Sequence, residues 1–168
     1  GTVQAGGGIY INRKTDDELL GLCRAGEYLY VLSPTQLGKS SLIVNIAKKL
    51  EAEDFVTVYV DLTCIGIKIS REEWFLGFLQ EICVSLSLKF DLFNWWQKNA
   101  GLSFVQRISL FLKDVLLQVC DKHIVIFIDE IDITLNLEFA HEFFGVIRSL
   151  HTRREKFNDF SRISVVLV

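Results

Sequence analysis

Five consecutive apolar residues, 124–128, are followed directly by two carboxylates, Asp129 and Glu130. The run is too short for an independent helix and is dominated by β-branched residues, so it predicts a strand. Because no polar residue interrupts it, both faces of that strand must be covered. Such a strand is typical of a parallel sheet with helices on both sides, and the run therefore predicts an α/β fold.

Strands and helices alternate along the rest of the chain, which also indicates a parallel sheet covered on both faces. The predicted strands are 28–32, 56–62, 123–128 and 163–168. The predicted helices are 16–25, 42–50, two segments between the second and third strands, and 139–150. Capping boxes begin those two segments, Ser70 with Glu73 and Ser103 with Gln106. Three consecutive glycines, at 6–8, predict a flexible segment over residues 1–9.

Composition and charge narrow the class of protein, since 168 residues, half of them hydrophobic, suit a single domain over 1–168 with a sizeable core. A net charge of −3 supplies no basic field for binding nucleic acid. No apolar stretch approaches the roughly 20 residues that cross a bilayer. The cysteines lie far apart without metal-ligand spacing, which predicts reduced, mostly buried thiols in a cytoplasmic protein. They are Cys23, Cys64, Cys83 and Cys120.

A phosphate-binding loop is predicted between the first strand and the helix that follows it. A strand-to-helix turn aims backbone N–H groups and the positive end of the helix dipole at one point, which suits a polyphosphate. Gly38 allows close backbone approach, Lys39 reaches the β- and γ-phosphates, and the Ser40 hydroxyl can ligate magnesium. The pattern GxxxxGK[ST] departs at its first position, where Ser33 replaces glycine. The nucleotide-binding residues predicted here are Ser33, Pro34, Thr35, Gln36, Leu37, Gly38, Lys39, Ser40 and Ser41.

The apolar strand with its two terminal carboxylates is the Walker B pattern. Asp129 is expected to hold the magnesium, mainly through a water, and Glu130 to orient and deprotonate the water that attacks the γ-phosphate. We therefore predict that Glu130 and Lys39 are catalytic and that Ser40 and Asp129 are metal ligands. A Gly-Lys-Ser tripeptide alone occurs often by chance, and many strands end in an acidic turn. Both motifs together, at the carboxyl edge of one sheet, favour a nucleotide site.

Further segments extend a family resemblance from end to end of the chain. They are 10–42, Asp61-Leu62-Thr63, Glu73-Trp74 and Phe127-Ile128-Asp129-Glu130-Ile131-Asp132. With these motifs the chain resembles the AAA-like domain that precedes WD40 and other repeat arrays, a relative of the STAND and origin-recognition-like AAA+ ATPases. The resemblance implies a three-layer P-loop NTPase fold with a parallel sheet of strand order 2-3-4-1 and helices on both faces. In that order the Walker B strand is one removed from the P-loop strand.

The resemblance also implies which residues contact the nucleoside. Tyr10, Ile11 and Arg13 match the segment with which such proteins contact adenine and ribose. By resemblance, the ligand is therefore ATP or ADP together with Mg²⁺. The sequence departs from the family pattern at Asn12, where glycine is usual, and at Thr35, where arginine is frequent.

The function that the resemblance implies is a nucleotide-dependent ATPase switch in a larger signalling or conflict-response protein. A sensor residue, a fifth strand and a helical lid are expected after Val168, so this segment is expected to hydrolyse ATP weakly or not at all. The implied partners are the nucleotide, the lid and repeat or effector domains of the same chain, and a homo-oligomer. Two alternatives stay open, a non-hydrolysing nucleotide-binding scaffold and a DNA-associated ATPase of the origin-recognition type, which the acidic balance disfavours. Arg148, Arg153 and Arg154 are candidate fingers for a neighbouring protomer, although the last two are better explained as solvated cations at a helix C-terminus.

Overall fold

The computed structural model describes residues 2–5, 8–12, 16–32 and 39–168. They form one six-stranded sheet with helices packed against it. The strands are β1 (Thr2–Ala5), β2 (Gly8–Asn12), β3 (Leu29–Leu32), β4 (Val56–Asp61), β5 (Ile124–Asp129) and β6 (Ile163–Leu167). The helices are α1 (Asp16–Arg24), α2 (Lys39–Ala52), α3 (Arg71–Ser85), α4 (Leu92–Lys98), α5 (Phe104–Phe111), α6 (Leu117–Val119) and α7 (Ala140–Lys156). Each of these described helices is too short or too polar to cross a membrane.

The strand order is β1-β2-β3-β6-β5-β4. All neighbouring strands are parallel except β1 and β2. The four strands predicted from the sequence correspond to β3, β4, β5 and β6, so their order across the sheet is first, fourth, third, second. Read from the opposite edge, this is the predicted order 2-3-4-1, and that prediction is confirmed. Strand β6 therefore lies between β3 and β5.

Strands β1 and β2 lie where the sequence predicted a flexible segment over residues 1–9. β2 extends the sheet by pairing with β3, from Ile9↔Leu29 to Asn12↔Leu32. β1 folds back against β2 as an antiparallel partner. Pairing with β3 depends on residues some 20 positions away, so no local window of sequence contains the interaction that orders these strands. The glycine run dominated the sequence pattern instead.

Two apolar layers cover the sheet, one on each face. Side chains alternate along β5, so Val125 and Phe127 face one layer while the intervening isoleucines face the other. The first layer consists mainly of residues of α1 and α2, including Leu42 and Ile46. The second is larger and contains the apolar faces of α3, α5 and α7. Every residue of β5 is buried, as the apolar run predicted.

Two helical segments were predicted between the second and third strands, and the structure has α3, α4, α5 and α6 between β4 and β5. α5, the π-helical turn at 112–116 and α6 follow one another without a gap and correspond to the second predicted segment. Both predicted capping boxes are confirmed at the starts of α3 and α5. In the first box the Ser70 N–H donates to the Glu73 side chain at 3.0 Å and the Glu73 N–H donates to the Ser70 hydroxyl at 3.1 Å. In the second the Ser103 N–H donates to the Gln106 side chain at 3.0 Å and the Gln106 N–H donates to the Ser103 hydroxyl at 3.2 Å. The additional helix is α4, a two-turn segment too short to show a helical period in its sequence.

The four thiols differ in exposure. Cys23 and Cys83 are buried, Cys120 is half-buried, and Cys64 is exposed. Burial raises the pKa of the Cys23 thiol to about 12. The prediction of mostly buried thiols is therefore wrong for Cys64, which lies in a short 3₁₀ turn after β4 where no element covers it.

An ion pair between α3 and α5 also holds α4 in place. Arg107 is only 4% exposed and donates to Glu72 Oε1 at 2.9 Å and to the Leu102 carbonyl at 3.1 Å. Its guanidinium lies 4.1 Å from the centroid of the Trp96 ring. Trp96 Nε1 donates to the same Glu72 oxygen at 2.7 Å. These hydrogen bonds, first that of Arg107, hold the pKa of Glu72 below its usual range. Glu72 therefore ties three helices together.

We predict that Glu72→Ala lowers the free energy of unfolding by about 2–4 kcal/mol, because Arg107 loses its counter-charge and Trp96 loses its acceptor. Chemical denaturation at neutral pH measures the change. Lys122→Ala is the control, since the Lys122–Asp54 pair at 2.7 Å is exposed on both sides and its loss should cost less than about 1 kcal/mol. Equal losses in the two variants would contradict the structural role given to Glu72.

Candidate functional site

Polar residues gather at the carboxyl edge of the parallel strands. β5 ends at Asp129, directly beside Asp61 at the end of β4, with which it is in register. β3 ends at this edge too, and α2 begins at Lys39, a few residues beyond the end of β3. The carboxyl edge therefore brings together one buried lysine and carboxylates from two neighbouring strands.

Asp129 and Lys39 belong to the same side of the sheet. Asp129 alternates in step with Val125 and Phe127, which pack against α2. Lys39 lies three and four positions before Leu42 and Ile43, so it shares the sheet-facing side of that helix. Lys39 is 8% exposed and Asp129 is 3% exposed. Both charges are thus held in the layer between α2 and the sheet, at the end where the helix begins.

Two hydrogen bonds fix the Asp129 carboxylate. The Glu130 backbone N–H donates to Oδ1 at 2.8 Å, and the Tyr59 hydroxyl donates to Oδ2 at 2.5 Å. The pKa of Tyr59 is raised, first by burial, then by the hydrogen bond to Asp129 and by the charges of Asp129, Asp61 and Glu130. The phenol therefore keeps its proton and remains a donor at neutral pH. The carboxylate is oriented by one backbone group and one side chain.

Glu130 has a left-handed backbone, with φ of 60° and ψ of 43°. The turn that it makes is held by main-chain bonds between neighbouring strands. Ile131 N–H donates to the Val168 carbonyl at 3.0 Å, and Val168 N–H donates to the Ile128 carbonyl at 2.9 Å. A residue with a Cβ pays about 1–2 kcal/mol for this conformation, so the surrounding structure must impose it. The side chain of Glu130 is half-buried at the edge of the sheet.

The oxygen ligands at this edge suit magnesium. Asp61 is engaged in its own turn, where Oδ1 accepts from the Thr63 N–H at 2.9 Å and from its hydroxyl at 2.6 Å. Among the described residues, each oxygen of Asp129 accepts one hydrogen bond, and a carboxylate oxygen has lone pairs for more than one. Within the described part of the chain no three His, Cys, Asp or Glu side chains form a metal cage. Magnesium fits such a site, because it usually takes one or two carboxylates and completes its shell with water and phosphate oxygens.

The predicted site residues divide between those that the structure describes and those that it does not. Lys39, Ser40 and Ser41 form the first turn of α2, and Ser41 is exposed. Tyr10 and Ile11 lie in β2, opposite Tyr30 and Val31 of β3. Asp129 ends β5 and Glu130 follows it, at the same edge of the sheet as the end of β3. Outside the described residues are Arg13, Ser33, Pro34, Thr35, Gln36, Leu37 and Gly38.

Tyr59 is the residue of this edge that the sequence did not predict. In the sequence it is one aromatic residue in an alternating strand, and nothing there marks it as a partner of Asp129. Their contact depends on the register between β4 and β5. Tyr59 of β4 lies opposite Phe127 of β5, and Asp129 is two residues further along β5. Only a known register would have revealed it.

The arginines near the end of α7 differ from expectation. Arg153 and Arg154 were predicted to be solvated, but both are half-buried. Arg153 lies over the Phe160 ring and Arg154 over the Tyr28 ring, at 5.8 and 5.5 Å from the centroids. Their apolar stems and planar head groups pack on aromatic faces, which local sequence does not reveal. Arg148 is exposed, and its role as a finger stays a prediction.

Known proteins resemble this chain in sequence and in fold. The family model of the AAA-like domain matches residues 1–168. An uncharacterised WD repeat-containing protein of Synechocystis sp. is 35% identical over 171 residues, covering 99% of this chain. This chain spans only 14% of the length of that relative. The fold is similar to that of the Aeropyrum pernix ORC2 protein in its ADPNP–ADP complexes, with a TM-score of 0.56 and 14% identity over 91% of this chain and 38% of that one.

The left-handed backbone at Glu130 yields a test of the turn. We predict that Glu130→Gly is more stable than Glu130→Ala by about 1 kcal/mol, because only alanine places a Cβ in this conformation. The matched pair at Glu81, inside α3, should reverse the sign, since glycine is the poorer helix residue by about 1 kcal/mol. Denaturant unfolding of the four variants measures both differences. The same sign at both positions would contradict the backbone geometry at Glu130.

Proposed function

The chain belongs to the AAA-like domain family, and on that premise we propose that it binds a nucleoside triphosphate with magnesium at the carboxyl edge of its sheet. The observation that carries this proposal is the burial of Lys39 and Asp129 in one layer, between α2 and the sheet. A buried lysine and a buried carboxylate at the start of a helix suit a phosphate chain and its cation. Burial of a charged group is costly unless the group is paired or binds a ligand.

The phosphates are proposed to lie at the start of α2. The first turn of this helix contains no acidic residue, so its positive dipole end is not neutralised by a side chain of that turn. Lys39 provides a point charge for the β- and γ-phosphates. We assign backbone N–H donors to residues 33 and 35–38, since Pro34 has no N–H, and a hydroxyl ligand for the cation to Ser40.

Asp129 and Ser40 are the residues that would hold magnesium, which would supply positive charge against the negative charge that develops on the phosphates. Asp129 is the carboxylate that we assign to it, and this carboxylate acts mainly through a bound water. Its orientation is set in advance by the Glu130 N–H and the Tyr59 hydroxyl. A preset carboxylate avoids the cost of ordering the ligand when the cation binds.

Glu130 is the proposed general base for hydrolysis. It follows Asp129 directly, so it lies next to the residue that we assign to the cation, and its half-buried side chain remains accessible to water. A base in this position accepts the proton of the attacking water while Lys39 stabilises the charge on the phosphates. For the nucleoside we propose ATP or ADP, with Tyr10, Ile11 and Arg13 as contacts. The solved ADPNP–ADP complexes of the Aeropyrum pernix ORC2 protein support this choice.

In the whole protein we propose that this domain acts as a nucleotide-dependent switch. The relative from Synechocystis sp. is a WD repeat-containing protein, which supports a chain with further domains that respond to the nucleotide state. This role requires a lid and a repeat or effector domain as partners. In a homo-oligomer, the exposed Arg148 would reach the nucleotide of a neighbouring protomer. The role belongs to signalling or conflict response in the cytoplasm. A non-hydrolysing scaffold is the alternative that the absence of turnover would favour.

We predict that Lys39→Ala weakens ATP binding by about 10- to 100-fold, the size of a lost charge-assisted contact to phosphate. The measurement is a titration of the whole protein with fluorescent ATP in the presence of magnesium. Lys49→Ala is the matched control, because it removes an exposed lysine from the last turn of the same helix and should leave the dissociation constant unchanged. Undiminished binding by Lys39→Ala would refute the site.

For Glu130→Gln we predict retained ATP binding and a fall in hydrolysis of roughly 100-fold or more, as expected for loss of a general base. Phosphate release by the whole protein measures it. Glu138→Gln, an exposed change a few residues downstream, should leave turnover unaltered. Full ATPase activity in Glu130→Gln would sink the catalytic assignment. Binding without any turnover in the unaltered protein would instead favour the scaffold.

A further inference from the structure

Tyr59 and Asp129 meet because of strand register. Tyr59 pairs with Phe127, so it lies one step of the sheet to the side of Asp129 and two residues back along the strand. Side chains at such diagonal positions share a face and lie within reach when one of them is long. The phenol spans the gap and places its hydroxyl 2.5 Å from Asp129 Oδ2.

The Tyr59 hydroxyl fixes the direction of a carboxylate that is buried. The carboxylate is 3% exposed, so water has little access to it. The Glu130 N–H holds Oδ1, and among the described residues the Tyr59 hydroxyl is the donor that holds Oδ2, so that the carboxylate is fixed at both oxygens. A magnesium ligand needs a fixed direction, because this cation tolerates little departure from octahedral geometry.

We propose that Tyr59 is a positioning residue that orients Asp129 for magnesium, so that the magnesium-dependent part of nucleotide affinity depends on its hydroxyl. This inference rests on the proposed function and adds to it a residue of β4. Tyr59 acts through Asp129 and touches neither the cation nor the phosphates. Only the hydroxyl of Tyr59 has this role, and its ring does not.

The Tyr59 ring contributes little to the core. It is 39% exposed and lies beside a cleft of about 330 Å³ that Val44, Ala47 and Lys48 of α2 also line. The Tyr59 backbone N–H donates to the Ser85 hydroxyl at 2.9 Å, and a change of the Tyr59 side chain leaves this bond in place. Tyr59→Phe therefore keeps the ring and the main-chain bond and removes only the hydroxyl.

The test compares the affinity of the whole protein for fluorescent ATP in saturating magnesium and in EDTA. In the unaltered protein magnesium should tighten binding. In Tyr59→Phe we expect this tightening to shrink by about tenfold, as for a lost hydrogen bond to a charged group, while the EDTA value stays the same. Thr57→Val is the matched control, since it removes another hydroxyl from the same strand, one bonded to Glu51 and remote from Asp129. It should leave both affinities unchanged.

A double substitution separates positioning from general damage. Once Asp129→Asn has removed the charged ligand, adding Tyr59→Phe should cost no further magnesium-dependent affinity, because the hydroxyl acts only through that carboxylate. Additive losses would overturn the inference. A structural role would also overturn it. In that case Tyr59→Phe would lower the melting temperature and would weaken ATP binding in EDTA as much as in magnesium.

The failure of this inference differs from the failure of the proposed function. Magnesium-dependent ATP binding by the unaltered protein, with the same dependence in Tyr59→Phe, would overturn the role of Tyr59 alone. Absence of ATP binding by the unaltered protein would overturn both. Loss of the magnesium effect in Tyr59→Phe, with EDTA affinity intact, would support both.

Discussion

Strand β5 is buried on both faces, and the rest of the molecule is arranged around that constraint. One layer must cover Val125 and Phe127, and another must cover Ile124, Ile126 and Ile128. Neighbouring strands must pair with both of its edges, because unpaired backbone groups in such a core are costly. Strands β4 and β6 provide those edges, and α2 and the larger helical layer provide the faces. Because every strand from β2 onwards is parallel, the chain must cross the sheet between strands, and it does so through helices.

The same constraint produces the polar edge. An apolar strand that leaves the core must end where charged groups can be accommodated, and β5 ends in two carboxylates at the place where α2 begins. Asp129 stays almost fully buried, which is tolerable because two donors satisfy it. Glu130 takes a left-handed backbone as the chain leaves the sheet, and the turn is held by the main-chain bonds that Val168 makes with Ile131 and Ile128. Stability and the proposed chemistry therefore depend on the same few residues.

Sequence patterns predicted the elements that carry their own signal. The apolar run of β5, the amphipathic α2 and the capping boxes at Ser70 and Ser103 are local, and each lies where its pattern indicated. The order of the four parallel strands followed from a family resemblance rather than from any residue pattern. Strands β1 and β2 and helix α4 were missed, since edge pairing and short helices depend on partners far along the chain. The packing of Arg153 and Arg154 on aromatic rings was missed for the same reason.

For the candidate site, the residue types could be predicted from sequence alone, Lys39 after one strand and Asp129 with Glu130 after another, because these patterns are contiguous in the chain. That Lys39 and Asp129 share one layer and that Tyr59 bonds to Asp129 follows from the folded arrangement. Those relations depend on strand register and on which face each residue occupies, and a shift of one residue would reverse them. Register is fixed by pairing between distant segments, which is why the sequence named the charged groups but not the phenol that orients one of them.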